Sequence, residues 1–117
     1  MSRRIAGAVG HRAGLATEEQ VARRYERAGG EVVARRWRGQ AGEIDLVVRL
    51  AGGLVFVEVK KARDLARAAE RVTPRQAARL MAAAEEYVAG APVEMRLDVA
   101  LVDAEGRIQI LENAIWG

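Results

Sequence analysis

The sequence predicts one mixed α/β domain, in which a helix precedes three strands, a long helix follows them, and a fourth strand and a short β tail complete the order. Three observations carry this prediction. Residues 43–50 and 54–60 have strand patterning on either side of Ala51-Gly52-Gly53. A helical period runs through residues 17–28 and again through residues 74–89. Half of the 117 residues are apolar, enough to pack one core without disulfides or a structural metal.

The first dozen residues, rich in Gly, Ala and Arg and lacking periodicity, predict a mobile basic arm over residues 1–13, with the ordered domain over residues 14–117. Val21, Ala22, Tyr25 and Ala28 then recur at helical spacing, with Thr17 as a cap and Gly29-Gly30 as a stop. Residues 31–37 are short and rich in β-branched and aromatic side chains, a first strand. In residues 43–50, Ile44, Leu46, Val48 and Leu50 alternate with Glu43, Asp45, Val47 and Arg49, the period of a strand with one face on the core. The run Leu54 to Lys60 is apolar enough for burial on both sides, and its turn makes a hairpin. Residues 64–72 read as a partly helical connector. Pro74 opens the long Ala-rich helix and Gly90 and Pro92 end it, before strands at residues 95–102 and 107–111.

There is no cysteine, and His11 is the single histidine, so disulfide scaffolds, thiolate nucleophiles, zinc fingers and His-based triads are excluded. A metal would have to be held by oxygen, which favours magnesium, with manganese as its substitute. No apolar run approaches membrane-spanning length, and the Arg-containing start lacks the apolar core of a secretory signal, so a soluble cytoplasmic protein without membrane contact is expected. The net charge is +3, and residues 1–40 carry nine Arg against four Glu, an asymmetry suited to a polyanion.

Glu58 and Lys60 stand two residues apart and share a strand face, and Asp45 sits on the neighbouring strand across a short turn. Two carboxylates and an ammonium at such a place suit phosphodiester hydrolysis, in which a divalent ion polarises the phosphoryl oxygen and a cation stabilises developing charge. Asp45 and Glu58 are the candidate metal ligands, the backbone carbonyl of Val59 a third, Lys60 the group that orients water or neutralises the phosphorane, and Glu43 an assistant. Of nineteen basic residues only Lys60 and Lys61 are lysines. Arginine is no substitute for a proton-exchanging ammonium, which gives that retention a physical reason. The competing explanation is a cross-strand ion pair on a solvated sheet face. Against it, Glu58 follows the run Leu54-Val55-Phe56-Val57, where an unpaired carboxylate is costly.

The segments Gly42-Glu43-Ile44-Asp45-Leu46 and Leu54-Val55-Phe56-Val57-Glu58-Val59-Lys60, with Glu19, Ala22 and Tyr25 upstream and Arg96-Leu97-Asp98-Val99 downstream, resemble the bacterial YraN-type proteins, a family related to Holliday-junction resolvases and other PD-(D/E)xK nucleases. The resemblance covers roughly residues 14–102. It implies a restriction-endonuclease-like three-layer fold and a metal-dependent endonuclease acting on structured or branched DNA, with Asp45, Glu58 and Lys60 in the catalytic positions. It also implies that Glu19 stands beside the metal, and a homodimer is compatible because related resolvases work as symmetric dimers. Two departures stand out: Ala62 replaces an arginine and Gln76 a lysine usual in the family. They leave open a noncatalytic nucleic-acid-binding or assembly module that keeps the nuclease fold.

The remaining candidates are contacts to phosphate. Arg35, Arg36 and Arg38 flank Trp37, whose indole either packs the sheet edge, the preferred reading, or stacks on a base, and Lys61, Arg63 and Arg75 adjoin the motif lysine and the long helix. On the first helix, Arg23, Arg24 and Arg27 read equally well as a solvated face or a phosphate-tracking stripe.

Overall fold

The computed structural model describes residues 2–114, with side chains from residue 14 onward. The elements follow the expected order: α1 (Ser2–Arg27), β1 (Glu31–Arg38), β2 (Glu43–Leu50), β3 (Gly53–Lys61), α2 (Leu65–Glu70), α3 (Pro74–Val88), β4 (Met95–Val102) and β5 (Ile108–Leu111). Helix α1 begins well before residue 17, and Thr17, expected as its cap, is a buried residue inside it. Alanine and arginine supply helix propensity there without the apolar periodicity on which the expectation relied. The basic arm expected over residues 1–13, His11 included, falls where side chains lie outside the described residues.

The strands form one sheet in the order β1-β2-β3-β4-β5. All neighbours are antiparallel except β3 and β4, which run parallel and are joined through α2 and α3. The β2–β3 hairpin closes at Leu50 opposite Gly53, with Ala51 (φ 52°) and Gly52 (φ 83°) both left-handed. That pair of dihedrals matches the right-handed twist of the flanking strands, and glycine supplies half of it without a Cβ clash.

Both faces of the sheet are covered. Val21, Ala22 and Tyr25 of α1 pack on Leu46, Val48, Val55 and Val57. On the opposite face, Leu80, Ala83 and Ala84 of α3 pack on Val47, Phe56 and Leu97, and Ala68 of α2 packs on Val99 and Leu101. Strand β2 is therefore not a strand with one core face, as its alternation suggested: Val47 has no exposure. The alanines of α3 bring that helix close enough to bury the second face. The result is an α/β domain with a five-stranded mixed open sheet between helices, consistent with a restriction-endonuclease-like fold. No helix among the described residues is long and apolar enough to cross a membrane.

One polar cluster is sealed inside. Asp98 on β4 is fully buried, accepts from the Tyr25 hydroxyl at 2.7 Å and from the Asn113 amide at 2.9 Å, and takes two bonds from the Arg96 guanidinium at 2.9 Å. Four donors around one carboxylate are what makes its burial tolerable. Burial and the facing carboxylate push the Tyr25 hydroxyl well above the usual phenol range.

Candidate active site

The hairpin register brings the acidic residues together. Leu46 stands opposite Val57 and Val47 opposite Phe56, so the next step of the ladder sets Asp45 beside Glu58. Val47 and Phe56 pack against α3, and by the two-residue period Asp45, Glu58 and Lys60 occupy that same face. All three line one cavity of about 300 Å³, with Gly42 and Glu43 on one wall and Gln76, Arg79 and Leu80 of α3 on the other.

Within it, Lys60 Nζ lies 3.2 Å from Glu58 Oε1. The Val59 amide donates to Asp45 Oδ2 at 2.7 Å. Desolvation of the half-buried Asp45, and secondly the neighbouring Glu58 carboxylate, push the Asp45 carboxyl up to about 7. The Val59 amide opposes that rise, while Glu18 and Glu43 add to it. A carboxyl raised by burial and by like charge is one whose ionisation a cation in the cavity would relieve.

The donors fit a hard divalent cation. Val59 turns its amide toward Asp45, and a strand residue's carbonyl leaves on the same side as its amide, so that oxygen faces the acidic edge as well. Among the described residues no group of three or more His, Cys, Asp or Glu side chains converges on a metal position. Two carboxylates and a main-chain carbonyl are nonetheless an all-oxygen set suited to magnesium, which keeps several waters and takes few protein ligands.

The other expected site residues lie elsewhere. Glu19 binds the Arg35 guanidinium at 3.0 and 3.1 Å and lines a separate cavity with Lys61, Arg23 and Gln20. The α1 carboxylate that Asp45 feels is instead Glu18, one residue earlier. Glu18 is held by Arg36 at 2.8 and 3.0 Å, and Arg36 reaches it from a left-handed backbone position (φ 48°). Arg38 pairs with Glu43 at 3.1 Å on the rim. Each of the three arginines around Trp37 thus faces a carboxylate, and Trp37 packs edge-on against Tyr87 in the core. Arg63 and Arg75 are exposed and line none of the cavity walls. Ala62 packs into the apolar cluster under α2, whereas Gln76 lies in the cavity wall.

Sequence reasoning missed Arg79 and Leu80 in the wall and gave Gly42, though quoted in the motif, no role there. Arg79 stands one turn beyond Gln76 on α3, a spacing that could have indicated it. Gly42 (φ 152°) lies beneath it: a Cβ there would meet Arg79 Cδ at 2.9 Å.

Comparison with known proteins yields a match to a family model described as Uncharacterised protein family UPF0102 over residues 17–102. A UPF0102 protein of Cereibacter sphaeroides (strain ATCC 17025) is 54% identical over 114 residues, covering 94% of this chain and 97% of the relative. A UPF0102 protein of Roseobacter denitrificans is likewise 54% identical over 114 residues, covering 94% of this chain and 88% of the relative. One from Ruegeria pomeroyi is 54% identical over 112 residues, covering 92% and 91%.

Proposed function

The chain belongs to the uncharacterised protein family UPF0102, the YraN family, and on that premise we propose that it is a metal-dependent endonuclease hydrolysing phosphodiester bonds in structured or branched DNA. The observation that carries the proposal is the meeting of Asp45, Glu58 and Lys60 in one cavity on one sheet face. Asp45, Glu58 and the Val59 carbonyl would hold magnesium, or manganese in its place. When bound, the ion would supply Lewis acidity at the phosphoryl oxygen and lower the pKa of water.

The chain's own groups do the rest. The Val59 amide fixes the Asp45 carboxyl of β2 to the β3 backbone. Lys60, tethered to Glu58, holds a compact positive charge where the phosphorane oxygen becomes more negative. Water supplies the new P–O bond, the ester P–O bond breaks, and the leaving alkoxide takes a proton. The products are one phosphate end and one hydroxyl end. As with resolvases, the proposal includes a homodimer and a cytoplasmic location alongside its DNA.

The test is a panel of labelled junction, flap, duplex and single-stranded substrates with Mg²⁺ or Mn²⁺, comparing wild type with Asp45→Ala and Lys60→Ala. Nicking lost in both variants supports the proposal. Tight DNA binding by a wild type that never nicks overturns it in favour of the noncatalytic module.

A further inference from the structure

We infer that Arg79, with the Gln76 carboxamide beside it on α3, is the clamp that seats the reacting phosphate over the acidic pair. The inference rests on the nuclease reading and adds to it the residues that grip substrate. Three independent observations lead to it.

The first is charge. The cavity wall holds three carboxylates, Glu43, Asp45 and Glu58, and two cations, Lys60 and Arg79. Lys60 is engaged by Glu58 and Glu43 by Arg38. Arg79 is exposed and, among the described residues, makes no ion pair, although carboxylates stand on the opposite wall. An arginine fork left open at the mouth of a catalytic cleft presents the planar donor set that matches two phosphate oxygens.

The second is the orphaned oxygen of Gln76. Its Oε1 is buried and has no hydrogen-bond partner. Leaving a buried acceptor unmet is unfavourable, and such groups mark places where a partner arrives later. A half-turn of the carboxamide exchanges Oε1 with Nε2, so the same position offers N–H to a phosphate oxygen or accepts from water.

The third is the seat of Arg79. Its Cγ and Cδ lie over Gly42 so closely that a Cβ on residue 42 would stand 3.0 and 2.9 Å from them. Gly42 directly precedes the strand that carries Asp45, so the absent side chain gives the arginine stem a slot against the acidic wall. The clamp thereby reads the backbone and no base, which is the recognition that structured DNA of arbitrary sequence requires.

The test compares Arg79→Ala, Arg79→Lys, Gln76→Ala and, as a neighbour on the same helix outside the cavity, Arg75→Ala. Binding of a fluorescein-labelled four-way junction is measured in Mg²⁺ across a salt series on the Lys60→Ala background, and nicking is measured on the wild-type background. Mn²⁺ binding is followed by electron paramagnetic resonance. Arg79→Ala is expected to weaken junction binding about tenfold and to lower the salt slope by about one, with Mn²⁺ binding unchanged. Arg79→Lys keeps the slope and recovers only part of the affinity, because the point charge lacks the fork. Gln76→Ala raises KM without changing the slope.

Junction affinity and slope in Arg79→Ala equal to the parent, in a protein whose wild type nicks, overturn the clamp alone. Equal losses in Arg75→Ala and Arg79→Ala also overturn it, since they describe a diffuse basic surface. A wild type that neither binds Mn²⁺ nor nicks overturns the nuclease reading and, with it, the clamp.

Discussion

The Val59 amide donates to Asp45 Oδ2 over 2.7 Å, tying the β2 carboxylate to the residue that separates Glu58 from Lys60. Two strands therefore present their chemistry as one rigid unit, and replacing one member has consequences that differ in kind.

Asp45 makes the metal-free protein sensitive to pH. Its folded carboxyl titrates at about 7 and its unfolded one near 3.8, so the folded state holds the proton more tightly. The stability this gives is full below about pH 4 and is lost as pH rises through 7, by on the order of 4 kcal/mol at most. Urea midpoints in EDTA should fall across that window in wild type and much less in Asp45→Asn. Added Mg²⁺ should restore wild type above pH 7 and leave the variant unmoved.

Lys60 is placed for charge stabilisation, so Lys60→Met should lower kcat by about a hundredfold or more while changing KM little. Lys60→Arg should not rescue it, because the guanidinium is larger and spreads its charge over a plane where a compact point charge is held. Initial nicking rates, with circular dichroism to confirm folding, decide this; full activity in Lys60→Arg would reduce the residue to a generic cation.

Gln76 sets stability against function. Replacing it with Met removes an unmet buried acceptor while keeping the volume, and should raise unfolding free energy by about 1 kcal/mol. The same change should lower activity, whereas Gln76→Lys should lower KM by adding a cation to the cavity wall. Chemical denaturation and steady-state nicking give the two readouts, and a destabilised Met variant would show that Oε1 is satisfied in solution.

Asp98 is the residue whose loss should be felt most widely. Asp98→Ala leaves Arg96, Tyr25 and the Asn113 amide without their acceptor, which should cost about 3–5 kcal/mol. Tyr25→Phe removes one bond and should cost about 1–2 kcal/mol. Unfolding curves for both, with the double variant to complete the cycle, measure the coupling; independent effects would contradict the shared carboxylate.

Much of the molecule was legible in the chain itself where local rules decide it. Strand bounds at residues 43–50 followed from two-residue alternation and those at 95–102 from punctuation, and the hairpin turn made the convergence of Asp45, Glu58 and Lys60 a matter of parity. What local rules do not carry is the rotation of a helix about its axis against the sheet. Glu18 and Glu19 differ by one residue, about 100° around α1, and that step sends one toward Asp45 and the other toward a different cavity. Arg79 escaped notice for a related reason: its spacing from Gln76 puts the two on one side of α3, and the seating of that helix is what turns that side into the acidic cleft. The burial of Val47 likewise depended on a helix more than twenty residues away along the chain.

The clasp around Asp98 couples distant parts of the fold. Its partners come from Tyr25 on the first helix and from the Asn113 amide beyond the last strand, so one carboxylate joins segments far apart along the chain. Loosening either segment leaves part of the same carboxylate unmet, so the first helix and the stretch that follows the last strand are coupled through a single buried acceptor.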